Sequence, residues 1–262
     1  MSMSDNINPV FASDFAKVQD RFFLCKKRNS TTFTDFFDPA RWTLFVNTLN
    51  RYNADVNIIA FGGDEDSERR MLGFFSMDAP DSFPIQRLRI RHNTKFNKAP
   101  RHQDYLGSIL GLGFDRGRIG DILIGQSSGI DTGYAEVFVS DDIADYICGQ
   151  LERVGKVPVM AEIVPEGAEG MVRSAGRETQ INIASLRLDA VVAAIFRLSR
   201  GQVASLVSGE KVFINWVACT DKGRQVKPGD MVTVRGSGRA KIGEILGSTK
   251  KDRLRVGVWV GV

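Results

Sequence analysis

The order of strand-forming and helix-forming segments between residues 82 and 164 constrains the fold more than any other feature of the sequence. Gln86 to Arg91 alternates strictly between polar and apolar residues, which is typical of a half-buried strand. Helical, strand, strand, helical and strand segments follow at 103–112, 120–124, 134–139, 141–154 and 157–164. The order βαββαβ predicts the split βαβ arrangement. Many RNA-binding domains and many unrelated domains share it, so the order alone leaves the function open.

The segments on either side predict further domains. Before residue 82, apolar residues at helical spacing predict a first helix: Phe11, Phe15, Val18, Phe22 and Phe23. Asp38 and Pro39 predict the capped start of a second helix, and strands are expected at 56–61 and 71–75. Ser140 is the expected cap of the helix that begins at Asp141.

A polar, glycine-rich run from Pro165 to Gly170 is typical of a domain boundary. After it come two helices, at 186–196 and 202–208, and strands that are punctuated by glycine. We therefore predict an α+β protein of three domains. These are an N-terminal α/β domain over 1–81, a middle RNA-recognition-like βαββαβ domain over 82–164 and, after a linker over 165–180, a C-terminal domain over 181–262.

The C-terminal third differs from the rest of the chain in charge. Residues 181–262 hold 14 Lys+Arg and 6 Asp+Glu, a net charge of +8, whereas residues 1–180 have a net charge of −4. A basic domain beside a mildly acidic body favours an anionic partner for that domain. Basic tails that bind nothing specific are also common, so charge alone leaves both interpretations open.

Cysteine usage and hydropathy argue against several classes of protein. Cys25, Cys148 and Cys219 are too few and too scattered for a disulfide framework or a zinc knuckle. No apolar run reaches the roughly 18 residues that a membrane span needs, and the N-terminus has no export signal. We therefore expect a cytoplasmic protein without a membrane span, a metal site or a cofactor.

The basic third carries a series of short motifs in a fixed order. Arg187-Leu188-Asp189 opens the first helix, Ser199-Arg200 opens the second, and Gly209 to Asn215 forms a turn into a strand. Gly229-Asp230 precedes the last strands. Over about 60 residues, this order resembles the small RNA-binding domain named after ribosomal protein S4, also called the alpha-L domain. The resemblance implies a C-terminal S4-like RNA-binding domain.

Physical chemistry supports RNA contacts at these helices. A helix N-terminus exposes unpaired N–H groups, and nearby guanidinium groups favour bidentate contact with phosphate. Ser199 can cap the second helix while Arg197 and Arg200 face outward, and Arg187 is expected to reach the same side. The remaining candidates for RNA contact in this domain are Gln202, Lys211, Asn215, Arg235 and Arg239. For any single arginine, a solvated surface charge is the simpler explanation.

The middle domain offers a second set of candidates. Arg87, Arg89 and Arg91 share one face of the alternating strand and could contact phosphate. Tyr134 and Phe138 share one face of a second strand, where exposed aromatic residues of an RNA-recognition sheet stack on bases. Alternatively, these two residues pack under a neighbouring domain, and the sequence favours neither interpretation.

The resemblance extends over nearly the whole chain. Four further motifs are similar to the YlmH-type proteins of bacteria: Asp35 to Pro39, Phe61-Gly62-Gly63 with Glu68-Arg69-Arg70, Asp104 to Gly113, and Arg118 to Ile122. The resemblance implies a non-catalytic protein that binds structured rRNA and tRNA. It also implies an association with the large ribosomal subunit carrying stalled peptidyl-tRNA, a role in translation quality control and a link to cell division.

Two other functions stay open at this point. Pseudouridine synthases often carry an S4 domain and use an aspartate in a tripeptide like Arg187-Leu188-Asp189, so an RNA-modifying enzyme is one alternative. Here the tripeptide lies inside the binding domain, where Asp189 is expected to be a first-turn carboxylate that the helix dipole favours. The second alternative is an interaction scaffold for division proteins.

Overall fold

The structure is a computed structural model that describes residues 11–51, 55–93, 98–126, 132–165, 167–168, 177–249 and 253–261. The chain divides into two compact units, Met1–Met171 and Val172–Val262, instead of the three domains expected. The first unit holds both the N-terminal and the middle segments. The predicted linker over 165–180 lies largely outside the described residues, which resume at a strand that begins before the expected boundary at residue 181.

The N-terminal segment is a pair of helices packed on a small sheet. Its elements are α1 (Ala12–Arg28), β1 (Thr32–Phe33), α2 (Pro39–Asn50), β2 (Asn57–Phe61) and β3 (Met71–Phe75). The three strands pair in the order β1–β3–β2, with both pairs antiparallel. As predicted, Asp38 caps α2, accepting a hydrogen bond from the backbone N–H of Arg41, with Pro39 in the first turn.

The apolar face of α1 differs from the prediction by one position. Phe15, Val18 and Phe22 are buried as expected, but the next buried residue is Cys25. Phe23 is 49% exposed. The buried residues from Phe15 to Cys25 are three or four positions apart and therefore lie on one face of the helix. Phe23 follows Phe22 directly, so its side chain points away from that face.

The middle segment has the predicted βαββαβ order with one addition. Its elements are β4 (Ile85–Asn93), α3 (His102–Leu110), β5 (Ile119–Gln126), β6 (Thr132–Ser140), α4 (Asp141–Gln150), β7 (Arg153–Val154) and β8 (Val157–Ile163). The antiparallel sheet has the order β5–β6–β4–β8–β7. Residues of both helices pack with inward-facing strand residues in one core.

The end of α4 was predicted wrongly, whereas Ser140 is its N-cap residue as predicted but makes no capping hydrogen bond with its side chain. The helix ends at Gln150, because a hairpin through Gly155, at a φ of +58°, pairs β7 with β8. Ser140 occupies the cap position, but its buried Oγ finds no hydrogen-bond partner among the described residues. The carboxylate of Asp141 instead accepts a hydrogen bond from the backbone N–H of Asp142.

Buried polar contacts join the N-terminal and middle segments into one unit. The carboxylate of Asp121, on β5, accepts hydrogen bonds from the backbone N–H groups of Glu68 at 2.7 Å and Arg69 at 3.0 Å. The Arg69 guanidinium donates to the carbonyl oxygens of Ile119 and Phe36. Burial lowers the pKa of Arg69 to about 10. These contacts explain why the first 171 residues form one compact body.

The C-terminal unit has two helices on one face of a six-stranded sheet. Its elements are β9 (Arg177–Ile183), α5 (Leu188–Phe196), α6 (Arg200–Ser208), β10 (Val212–Ile214), β11 (Val217–Ala218), β12 (Met231–Val234), β13 (Gly238–Ser248) and β14 (Leu254–Gly261). The strand order is β11–β10–β12–β13–β14–β9, with antiparallel pairing throughout. The first strand of the unit therefore pairs with the last.

No helix within the described ranges has both the length and the apolar composition to cross a bilayer. Helices α5 and α6 meet those criteria only as a pair, and they are bent by 117° at their junction.

Candidate nucleic-acid interface

The junction between α5 and α6 brings together four of the predicted RNA-binding residues. Ser199 Oγ accepts a hydrogen bond from the backbone N–H of Gln202, and the Gln202 side chain accepts one from the backbone N–H of Ser199. Arg200 begins α6 and is exposed. Arg197 ends α5 in the left-handed conformation, at a φ of +54°, and is also exposed. Two guanidinium groups thus flank a helix N-terminus, which is a favourable arrangement for an anion.

Gln202 has a structural role at this site. Together with Ser199 it forms a capping box, in which each side chain satisfies a backbone donor of the first turn. Its side-chain oxygen is therefore occupied by the Ser199 backbone. This capping rigidifies the turn that carries Arg200, and the remaining N–H groups of the first turn stay available.

Arg187 lies at the other end of α5 and is held by a carboxylate. Its Nη2 is 2.8 Å and its Nε 3.1 Å from the two oxygens of Asp189. The hydrogen bond between them lowers the pKa of Asp189 and raises that of Arg187. The nine residues of α5 separate Arg187 from Arg197, and ten steps of 1.5 Å place them about 15 Å apart along the helix axis. Arg187 thus lies at the opposite end of α5 from Arg197, and its place on the same RNA-binding side stays a prediction.

Two basic residues that the sequence did not single out surround Arg187. The backbone carbonyl of Arg224 accepts a hydrogen bond from Leu188 N–H, and that of Lys222 accepts one from Asp189 N–H. This segment docks on the N-terminus of α5 and places Lys222 and Arg224, both exposed, beside Arg187. No local motif marks these residues, because their position depends on a contact over more than 30 residues of chain.

Asn215 stabilises the fold where the sequence suggested an RNA contact. At a φ of +49° it occupies a turn, and its side-chain amide donates to the carboxylate of Asp230 at 2.8 Å. Its side-chain oxygen accepts from the backbone N–H of Met231 at 2.9 Å. The other oxygen of Asp230 accepts from Lys227 N–H. The Asn215 and Gly229-Asp230 motifs therefore hold two turns together.

The last three candidates of this unit lie on its strands and their turns. Lys211 and Arg235 are exposed neighbours, since the backbone N–H of Arg235 donates to the carbonyl of Lys211 at 2.9 Å. The Arg235 guanidinium lies over the ring of Phe213, 5.4 Å from its centroid. Arg239 lies on β13, opposite Gly261. These residues remain candidates for phosphate contact.

The basic row of the middle sheet is paired with carboxylates. Cross-strand register places Arg87, Arg89 and Arg91 on one face with Phe138, Glu136 and Tyr134 opposite them. Arg89 donates to Glu136 at 2.5 Å, and Nη1 of Arg87 is 3.9 Å from its second oxygen. Arg91 donates to Glu162 at 2.8 Å. Glu136 is 1% exposed, and its hydrogen bond raises the pKa of Arg89. The face is therefore less positive than three arginines imply.

The two aromatic candidates of this sheet have different surroundings. Phe138 is 3% exposed and packs with Phe36 and Met71 of the N-terminal segment. It cannot stack on a base, so the packing alternative is correct for this residue. Tyr134 is half-buried, with the Arg89 guanidinium 5.2 Å from its ring centroid. Tyr134 therefore remains the aromatic candidate for base stacking.

Asp189 tests the enzyme alternative, and we expect Asp189→Ala to retain RNA binding. The change removes the Arg187 partner and a first-turn carboxylate, and should cost about 0.3–1 kcal/mol of stability. Because the folded pKa of Asp189 is lowered, its contribution is present above its ordinary pKa and is lost as the pH falls through the folded value. Urea unfolding at pH 7 and at pH 3 measures this difference. Loss of biological activity with normal folding and RNA affinity would instead favour catalysis.

Comparison with known proteins agrees with this arrangement. Residues 79–166 match a family model described as "Putative RNA-binding domain in YlmH", and residues 186–232 match the S4 domain. The chain is 32% identical over 226 residues to the "Ribosome-associated protein quality control protein P2" of Bacillus subtilis, covering 85% of this chain and 84% of that protein. A solved structure, "Cell division protein ylmH from Streptococcus pneumoniae", is similar in fold, with a TM-score of 0.51 and 19% identity over 62% of this chain and 94% of the other. The chain thus belongs to the YlmH-type family, in which an RNA-binding-type middle domain precedes a C-terminal S4 domain.

Proposed function

We propose that this chain is a non-catalytic, cytoplasmic RNA-binding protein that binds structured rRNA and tRNA on the large ribosomal subunit carrying peptidyl-tRNA. The observation that carries the proposal is the capped N-terminus of α6 with the exposed Arg197 and Arg200 beside it. It lies in a unit whose residues 181–262 carry a net charge of +8. The name of the Bacillus subtilis relative supports the ribosome as the partner.

Two clusters of the C-terminal unit would contact phosphate. The first is Arg197 and Arg200 at α6, and the second is Arg187, Lys222 and Arg224 at α5. Lys211 and Arg235 would extend this surface. The two clusters lie about 15 Å apart along α5, so one folded RNA could contact both through phosphates of separate parts of its backbone. Tyr134 and Arg91 of the middle sheet would supply a separate, weaker contact, whose effective affinity rises when one target presents both surfaces.

The proposal places the protein in translation quality control, with any effect on cell division following from that role. The name of the Streptococcus pneumoniae protein motivates the second part. We expect the chain to sediment with large ribosomal subunits, most strongly when peptidyl-tRNA remains on them. A protein that stays at the top of the gradient at low salt would refute the ribosome assignment.

Charge reversal at α6 tests the site itself, and we expect Arg197→Glu with Arg200→Glu to abolish most of the sedimentation. Five phosphate contacts predict a slope of log affinity against log salt of about −3 to −5, and the double variant should reduce that slope by about 1.4–1.8. Affinity for an RNA hairpin, measured by fluorescence anisotropy at several salt concentrations, gives both quantities.

A matched control makes the same change of charge elsewhere. Lys27 and Arg28 are exposed in the last turn of α1. Lys27→Glu with Arg28→Glu alters the net charge by the same amount but leaves α6 intact. Equal losses of affinity in the two double variants would mean that net charge alone governs binding, and would remove the support for a site at α6.

A further inference from the structure

The sheet of the C-terminal unit has a second face, which the helices leave uncovered. Ile181, Ile242, Val256 and Val258 point into the core with α5 and α6. Because side chains alternate along a strand, the residues between them point to the opposite face, which we call the outer face. This face is formed by β9, β14 and β13, strands that lie wholly outside the residues 186–232 that match the S4 domain.

A cavity of about 500 Å³ opens on the outer face beside a tryptophan. The register places Trp259 opposite Lys241 of β13 and Glu178 of β9, and Gly257 opposite Gln180. The cavity is lined by Trp259, Lys241, Leu246, Gln180, Gly243 and Gly257, among others.

Two glycines form the floor of this cavity. A Cβ on Gly243 would lie 2.8 Å from the carbonyl oxygen of Gly257, so no side chain fits there. A Cβ on Gly257 would meet nothing closer than 3.7 Å, the distance to Cδ1 of Leu246. The absence of a side chain at Gly257 therefore leaves a hollow over its backbone, whereas Gly243 is a glycine because the backbone of Gly257 approaches it closely.

The indole of Trp259 lines the edge of the hollow. A Cβ on Gly261 would lie 2.6 Å from Cη2 of Trp259, which shows that the ring lies against the backbone at Gly261. An aromatic ring that is already ordered loses little conformational entropy when a ligand stacks on it. The site is thus prepared for a flat ligand beside or over the indole.

The charges on the outer face indicate the kind of ligand. Among its paired positions that the structure describes, Arg239, Lys241 and Arg255 are basic and Glu178 is acidic. Lys241 and Arg255 are exposed. The core of a protein–protein interface is depleted in charged residues, whereas an aromatic platform flanked by cations is the usual arrangement for single-stranded nucleic acid.

We propose that the outer face binds single-stranded RNA, with one base entering the hollow beside Trp259 and Lys241 contacting an adjacent phosphate. Arg255 lies four residues along β14 from Trp259, about 13 Å, and would contact the strand further along. This site is separate from the helical clusters, and it rests on the proposed function only in taking RNA as the ligand. The chain would then bind a folded RNA through its helices and an unpaired segment through its sheet.

The test uses the full chain and two RNAs, a fluorescein-labelled 12-nucleotide oligouridylate and an RNA hairpin. Trp259→Ala should weaken oligouridylate binding roughly 5- to 140-fold, because stacking on an aromatic residue accounts for that much affinity per base. Trp259→Phe should remain within a few-fold of the wild type. Gly257→Val, which fills the hollow, should weaken oligouridylate binding with the aromatic ring still present. Hairpin binding should be unchanged in all three variants.

Charge variants complete the test. Lys241→Gln should reduce the salt slope for oligouridylate by about 0.7, the value for one phosphate contact on a single strand. Lys227→Gln, at an exposed lysine on a turn of the same unit, should leave the slope unchanged. Should Trp259→Ala fail to fold, as judged by its urea midpoint, Gly257→Val and Lys241→Gln decide the matter.

The outcomes separate this site from the proposed function. Loss of hairpin binding in Arg197→Glu with Arg200→Glu, with oligouridylate binding retained, would support two independent surfaces. Wild-type oligouridylate affinity in both Gly257→Val and Lys241→Gln would overturn the outer-face site, even if those variants lost a protein contact on the ribosome.

Discussion

Asp121→Ala should lower the free energy of unfolding of the Met1–Met171 unit by about 2–6 kcal/mol. The carboxylate is 9% exposed and accepts the backbone N–H groups of Glu68 and Arg69. Alanine would leave both donors without this acceptor, at a cost of about 1–3 kcal/mol for each buried group. It would also remove a negative charge that favours the buried Arg69 guanidinium.

Tryptophan fluorescence during urea unfolding measures this effect at the site. Nε1 of Trp42 donates a hydrogen bond to the carbonyl of Glu68 at 3.0 Å, so its emission reports on the same segment. To isolate the Trp42 signal, all variants are made in a chain that also carries Trp216→Phe and Trp259→Phe, since the chain has three tryptophans.

Asp104→Ala is the matched control, because Asp104 also accepts a hydrogen bond from a backbone N–H, that of Arg101, but in a more exposed position. Equal urea midpoints for Asp121→Ala and Asp104→Ala would show that the contact at Asp121 does not hold the unit together.

Phe138→Ala should destabilise the same unit by about 3–5 kcal/mol, the usual cost of emptying a buried aromatic site. Phe138 packs with Phe36 and Met71, and a Cβ on Gly63 would lie 2.2 Å from its ring. The cavity would therefore open between the N-terminal segment and the middle sheet. Thermal and urea unfolding of the full chain give the magnitude.

Tyr134→Ala is the informative comparison, since Tyr134 shares the strand and the face of Phe138 but is half-buried. We expect a smaller loss of stability than for Phe138→Ala, together with weaker binding of RNA by the first unit. If Phe138→Ala instead lowers RNA affinity without changing the urea midpoint, Phe138 is exposed in solution and its assignment to packing is wrong.

The order of elements in the middle segment was predictable because each strand carries a period of two and each helix has its own apolar stripe. The alternation from Gln86 to Arg91 separates the arginines from Leu88 and Ile90, and both of these apolar residues are completely buried. The hairpin that includes Arg153 and Val154 was missed, because two-residue strands carry no periodicity. The union of the N-terminal and middle segments was missed as well, since it depends on Asp121, whose partners are backbone groups more than 50 residues away.

Candidate site residues were identified at the level of motifs, and the motifs mix two kinds of residue. Ser199, Gln202 and Asn215 belong to the S4-like pattern, but their polar atoms satisfy the protein's own backbone or Asp230. Arg197 and Arg200 belong to the same pattern and remain exposed. A sequence pattern does not distinguish a residue whose side chain stabilises a turn from one whose side chain is exposed at that turn. The alternation along the strand likewise assigned Phe138 to one face of its sheet. It did not reveal which segment of the chain covers that face.

The pairing of β9 with β14 has a consequence for the synthesis of this protein. Arg177–Ile183 is the first described strand of its unit to leave the ribosome, and its partner, Leu254–Gly261, is the last. Until β14 emerges, the backbone N–H and C=O groups of β9 have no β14 strand to pair with. Pairing between strands so far apart in the chain forms late and slowly. The sheet of the unit can therefore close only after Leu254–Gly261 has left the ribosome. A nascent chain that stalls before Leu254 would thus expose an unpaired strand edge, which is a site for aggregation and proteolysis.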